Sequence, residues 1–198
     1  MHSPQTSDII ALVLAAGSAT RFGSSKQLAE LDGMPLARRA LAVAANVFGD
    51  RTALVVGHDW QAVAQSCSPL PGFLIMNDLY KRGLGSSIAC ATRSVRHAAQ
   101  AIVVILADQP LVSAGHLRNL RDNWSGADNE IVATGFGNTA GAPVLFPGSC
   151  FDDLAALQGD MGGRHLLSDE RFTVRKIVFE PASVDIDTPA ALDRLISR

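Results

Sequence analysis

The stretch from Leu12 to Lys26, Leu-Val-Leu-Ala-Ala-Gly-Ser-Ala-Thr-Arg-Phe-Gly-Ser-Ser-Lys, constrains the fold of this chain more than any other. Residues 9–14 form an apolar run, the pattern of a strand buried on both faces of a parallel sheet. The run passes without a break into small residues, then into a loop with Gly17, Ser18, Thr20, Gly23, Ser24 and Ser25. Small residues let a backbone approach a ligand closely, and successive N–H groups form an anion-binding concavity. Arg21 and Lys26 bring two fixed positive charges to the same loop. A plain surface turn accounts for the glycines alone, but the preceding strand and the two cations favour a triphosphate loop.

Two common phosphate loops do not fit. A Walker A loop ends in Gly-Lys-Ser/Thr, and the spacing from Gly23 to Lys26 is wrong for it; Gly17 and Gly23 likewise miss the Gly-x-Gly-x-x-Gly spacing of a dinucleotide site. Bulk properties narrow the class further. At 198 residues the chain lies within the usual single-domain range of roughly 50–250. One domain over residues 1–198 is expected, with residues 1–7 as a loose tail. Hydrophobic residues at 47% against charged residues at 18% mark a globular chain rather than a disordered one. A net charge of -2 argues against coating nucleic acid and leaves room for a local basic pocket. The apolar runs at residues 9–16 and 101–107 fall well short of the ~20 residues that span a bilayer. The polar start lacks the charge-then-apolar order of a signal peptide. Cys67, Cys90 and Cys150 are scattered and odd in number, matching neither a disulfide framework nor a zinc site. Inert thiols and a cytoplasmic setting are the expectation.

Along the chain, strands and helices alternate. Strands are expected at 9–14, 52–56, 73–76, 101–107, 130–133, 142–146 and 173–179, with a short extended piece at 27–31 before the Asp32-Gly33 turn. Helices are expected from Pro35, at 60–65, up to about 98, at 113–124, at 150–157 and after Pro189. The pattern predicts a three-layer, Rossmann-like α/β fold, a mostly parallel sheet with helices on both faces. Gly83 and Gly85 mark a tight loop, where Ser86 or Ser87 either caps the next helix or contacts a nucleotide. Asp108 follows the most apolar run, at the strand edge where open α/β sheets bind ligands, or is a turn residue before Pro110. A flexible loop is expected over 135–141. Gly162, Gly163 and Arg164 suit a second anion site, with a solvated cation as the plainer reading of Arg164. Asp187 or Thr188 is expected to cap the last helix.

The segment Leu-Ala-Ala-Gly-x-x-x-Arg-x-Gly-x-x-Lys, from Leu14 to Lys26, resembles the signature of nucleotidyltransferases with a MobA-like NTP transferase domain. Ala15-Ala16-Gly17 is similar to the cytidylyl-type members; guanylyl-type members carry Ala-Gly-Gly. The resemblance implies the nucleotide-diphospho-sugar transferase type of fold. It implies that Leu14, Ala15, Ala16, Gly17, Ser18, Arg21, Lys26, Gly83, Ser86, Ser87 and Asp108 bind the nucleotide. Lys26, Arg21 and Asp108 are the implied catalytic groups. Asp108, faced by Asp187 from an Asp-Ile-Asp-Thr-Pro segment, would hold Mg²⁺. Gly162, Gly163 and Arg164 close the segment Gly159-Asp160-Met161-Gly162-Gly163-Arg164, which resembles the Gly-Asp-x-Gly-Ala-Arg segment of the cytidylyl branch, Gly163 standing for Ala. With Gly141 and Pro143 they are the implied acceptor side. The implied activity is that of a molybdenum cofactor cytidylyltransferase or close relative, with CTP and a molybdopterin-type phosphorylated acceptor as substrates. A molybdoenzyme or its chaperone is the implied partner, with no nucleic acid and no membrane. Two rivals are a nucleotidyltransferase for a sugar phosphate or other small phosphorylated acceptor, and a non-catalytic protein that binds and delivers a pterin cofactor.

Overall fold

The computed structural model describes residues 8–18, 22 and 25–197. The tail at 1–7 and Arg21 lie outside the described residues. Strand β1 (Ile9–Ala15) is buried at every position, which is why its apolar run shows no alternation. Its side chains divide between two cores. Ile9, Ala11, Val13 and Ala15 pack on one face of the sheet, Ile10, Leu12 and Leu14 on the other.

A turn at Asp32-Gly33 closes a two-stranded hairpin, β2 (Glu30–Leu31) and β3 (Met34–Pro35). Helix α1 (Leu36–Phe48) follows, with Pro35 as its N-cap. β4 (Thr52–Val56), α2 (Trp60–Ser66), β5 (Phe73–Met76), α3 (Leu84–Val95) and β6 (Ala101–Leu106) then alternate. Next come α4 (Ala114–Asp122), β7 (Glu130–Phe136), β8 (Thr139–Pro147), α5 (Phe151–Ala155), β9 (Thr173–Val178) and α6 (Pro189–Ile196). The main sheet runs β5-β4-β1-β6-β8-β7-β9. Its neighbours pair in parallel except where β8 lies antiparallel to β6 and β7. Residues of α1, α2 and α4 share the core of one face, and those of α3 and α5 share the other. The three-layer α/β expectation therefore holds.

Some local expectations need correction. Residues 26–28 form a 3-10 turn rather than an extended piece. The loop expected over 135–141 is the β7–β8 hairpin, with Phe136 paired to Thr139. Neither Ser86 nor Ser87 caps α3; Gly83 is the N-cap residue, with no side-chain cap. The last helix is capped by Thr188, whose hydroxyl accepts from the Ala191 N–H at 3.2 Å, and Asp187 is free of that duty. No helix among the described residues is long and apolar enough to cross a membrane.

Candidate active site

β1 and β6 are parallel neighbours at the centre of the sheet. The chain adds β4 and β5 on one side of β1, then crosses over by α3 to place β6 on the other. Such a reversal opens a crevice at the carboxyl ends of the two strands. A cavity of about 500 Å³ lies there. Leu14, Ala16, Gly17 and Ser18 line it from the end of β1, and Leu106, Ala107 and Asp108 from the end of β6.

Lys26 reaches in from the 3-10 turn. Its Nζ donates to Asp108 Oδ2 at 2.7 Å and to Asp187 Oδ1 at 3.0 Å. Burial works against the ammonium, but the Asp108 and Asp187 carboxylates outweigh it and hold its pKa above the ordinary lysine value. Asp187 arrives because Ile186 is fully buried against Leu31, Leu36 and Leu192, and because the Ile186 N–H donates to the Asp108 carbonyl at 2.9 Å. Three segments far apart in sequence thus meet at one ammonium. Asp108 Oδ1 is buried with no hydrogen-bond partner. Asp185 lies near Asp108 and Asp187. Partial burial first, then the nearby Asp108 carboxylate, push its carboxyl up to about 6.

Two residues that the sequence reasoning missed shape the walls. Gln27 is 5% exposed, and its Nε2 donates to the Gly17 carbonyl at 2.7 Å. It clamps one end of the glycine-rich loop to the other. Asp160 lines the cavity from the segment after α5. Gln27 carries no sequence signal, since no periodicity or spacing marks a lone Gln as part of a site, whereas Asp160 is the Asp of the segment resembling Gly-Asp-x-Gly-Ala-Arg, the signal that could have found it.

Gly83, Leu84 and Ser87 line the cavity at the start of α3. At Gly83 the backbone φ is +92°, and a Cβ would fall 2.5 Å from the Gly159 carbonyl and from Asp160 Oδ1. Only glycine combines that dihedral with that close approach. Ser86 faces away, into a neighbouring hollow. Ala15 is 1% exposed and packs in the α1-side core rather than on the cavity. Gly141, Pro143, Gly162, Gly163 and Arg164 also lie outside its lining. Gly141 and Pro143 lie in β8, and Gly163 and Arg164 pack against it. The Arg164 guanidinium donates to the Thr139 hydroxyl. A Cβ on Gly163 would meet Phe146 and Leu154 at 2.7 and 3.0 Å, and one on Gly162 would contact Leu84 at 3.7 Å.

Among the described residues no group of three His, Cys, Asp or Glu side chains stands ready for a metal ion. The three cysteines are free, and burial pushes the Cys150 thiol up to about 12. Burial also raises the Cys67 and Cys90 thiols.

Residues 11–174 match the MobA-like NTP transferase domain. The chain belongs to the MobA-like NTP transferase family. Within and around this family, it is 28% identical to the purine catabolism protein PucB of Bacillus subtilis, across 98% of this chain and 97% of PucB. The crystal structure of Rv0371c from Mycobacterium tuberculosis superimposes with a TM-score of 0.84 at 28% identity, covering 98% of this chain and all of that one. Rv0371c in complex with manganese superimposes at 0.79, with 96% and 98% of the two chains covered. Molybdopterin-guanine dinucleotide biosynthesis protein A from Archaeoglobus fulgidus shares the fold, with a TM-score of 0.69 at 24% identity over 94% and 96% of the chains. The family and the fold read from Leu14–Lys26 are the family and fold found.

Proposed function

We propose that this MobA-like NTP transferase transfers CMP from CTP to the terminal phosphate of a molybdopterin-type acceptor and releases pyrophosphate. The observation that carries the transferase chemistry is the Lys26 ammonium held against Asp108 and Asp187 in the cavity that Gly17 and Ser18 also line. The acceptor phosphate is already largely ionised at neutral pH, its second pKa being about 6. One of its oxygens forms a bond to the α-phosphorus of CTP as the bond to the β-phosphate oxygen breaks. No general base is required. Catalysis consists of positioning and charge neutralisation. The Gly17 and Ser18 amides and Lys26 neutralise phosphate charge, and Arg21 is proposed to join them.

The buried, unpartnered Asp108 Oδ1 and the facing Asp187 carboxylate fit a hard divalent cation, which favours few carboxylates plus phosphate oxygens. Magnesium bound to these residues would add positive charge at the phosphates. The manganese in the Rv0371c complex supports a divalent site in this fold. Ala15-Ala16-Gly17 supports CTP over GTP. Arg164, Gly162 and Gly163, with Gly141 and Pro143, are proposed to hold the acceptor; the packing of Gly162 near Leu84 brings that segment beside the cavity wall.

The test is pyrophosphate release with CTP and GTP in competition, against molybdopterin, molybdenum cofactor and a panel of sugar phosphates. CTP consumption with a molybdopterin acceptor is expected. A preference for GTP ends the cytidylyl reading, turnover with a sugar phosphate alone reassigns the acceptor, and no turnover with any pair favours a cofactor-delivery role.

A further inference from the structure

Asn77 follows β5 and is 2% exposed, yet it touches no ligand-facing surface of its own. Its side-chain amide is fully engaged. Oδ1 accepts from the Leu79 N–H at 3.0 Å, while Nδ2 donates to Ser86 Oγ at 3.0 Å and to Ser87 Oγ at 2.9 Å. A backbone N–H can only donate, so the atom facing Leu79 is the oxygen and the amide orientation is settled. Both serine hydroxyls therefore accept from Asn77, and each keeps one proton to donate. Ser86 has carbonyl acceptors within reach, Gly83 at 2.8 Å and Leu79 at 3.0 Å. The Ser87 proton has no acceptor among the described residues, and Ser87 lines the cavity between the ends of β1 and β6.

We infer that Asn77 is a positioning residue that holds Ser87 as a hydrogen-bond donor toward the nucleotide, so that the site selects a nucleotide bearing an acceptor atom at that point. The inference rests on the nucleotide reading of this cavity and adds the polarity of one wall. A serine left to itself donates or accepts by rotating its proton. Here one acceptor lone pair is committed to Asn77, a second serine occupies the nearest carbonyls, and the remaining proton is directed at the ligand. A ligand donor placed there could use the second lone pair of Ser87 Oγ, but the Ser87 proton would then be left without an acceptor, which a buried site penalises. The acceptor can belong to the base, the sugar or the phosphates. Unprotonated N3 distinguishes cytosine from uracil, which carries N3–H.

Calorimetric titration of the native chain with α,β-methylene analogues of CTP and UTP tests this without turnover. Ser87→Ala, which suits a helix, is expected to weaken the CTP analogue about three- to tenfold, the worth of one neutral hydrogen bond. A larger loss for the CTP than for the UTP analogue locates the acceptor on the base; equal losses locate it on sugar or phosphate. Asn77→Asp keeps an oxygen for Leu79 but draws the Ser87 proton to its carboxylate. In that background Ser87→Ala should change affinity less than twofold. Any charge repulsion from the new carboxylate is common to both arms of the cycle and cancels. Unaltered affinity in Ser87→Ala overturns the inference, as does an undiminished effect of Ser87→Ala beside Asn77→Asp. If Asn77→Asp does not fold, the Ser87→Ala arm decides alone. A native chain that binds neither analogue removes the nucleotide reading itself, a result distinct from one in which the native chain and Ser87→Ala bind alike.

Discussion

Lys26 faces opposing demands. Its side chain is 14% exposed, which disfavours a charge, yet two carboxylates keep it protonated throughout the neutral range. Lys26→Met removes the charge and keeps the length. Turnover is expected to fall about a hundred- to a thousandfold, as for loss of one preorganised electrostatic contact. Pyrophosphate release and thermal unfolding measured on the same variant separate this from a folding defect; near-native activity would remove Lys26 from the chemistry. Asp108→Asn is expected to abolish the dependence of turnover on added magnesium or manganese. Asp187→Asn should weaken that dependence less, since its side chain is 59% exposed and more solvated. A metal titration that leaves the Asp108→Asn response intact sinks the assignment of the strand-end carboxylate.

At the scale of elements, the site is a joint between strand ends and the first turn of α3. The Gly85 N–H donates to the Gly159 carbonyl at 2.9 Å, so the segment after α5 is fastened across the start of α3. Gly83 lies under that fastening. Gly83→Ala must either twist away from φ +92° or push Gly159 and Asp160 outward. A stability loss of roughly 1–3 kcal/mol is expected from the strained backbone, together with at least a tenfold loss of nucleotide affinity. Gly137→Ala is the control. It also sits at positive φ, but nothing lies within 4 Å of its Cβ, so its melting temperature should fall while nucleotide affinity stays native. Equal affinity in both variants would show that the α3 turn does not shape the pocket.

At the scale of the molecule, one buried histidine ties stability to pH. His116 is 3% exposed and stacks on Phe179 at 4.3 Å. The Thr134 hydroxyl donates to the Pro143 carbonyl at 2.7 Å, so at 2.8 Å it accepts from His116 Nε2–H. The ring is neutral, and burial lowers its pKa from 6.5 to about 4. The unfolded chain therefore binds more protons than the folded one between those values. The contribution is fully present above about pH 6.5, falls as pH drops, and is gone below about pH 4. A gap of this size corresponds to roughly 3 kcal/mol. Denaturant unfolding at pH 7 and pH 4.5 should show the loss, and His116→Gln should flatten it. An unchanged pH slope in His116→Gln would assign the acid sensitivity to the carboxylates.

Much of the architecture was legible because it is written in local patterns. β1 and β6 are unbroken apolar runs, which read as strands buried on both faces. The helices carry their faces at helical spacing, as Leu36, Ala40, Ala44 and Val47 do in α1. Lys26 and Asp108 stood out because each is a charge at the end of a glycine loop or a buried strand, the edge where open α/β sheets bind ligands. The β7–β8 hairpin was hidden because Gly135, Gly137 and Gly141 look like punctuation although most of that stretch pairs as strand. Whether Asp187 or Thr188 caps α6 was undecidable in sequence, since both are good caps. The Thr188 hydroxyl, which accepts from the Ala191 N–H, resolved it, while Asp187 accepts from Lys26 instead. Asn77 and Gln27 were invisible for the same reason: an amide has no periodicity, and its role is set by the partners it meets. Composition and spacing determined the strands, the loop and the charges. The tertiary structure alone decided which charges meet, because Lys26 lies 82 residues from Asp108 and 161 from Asp187, and no local signal reaches across such separations.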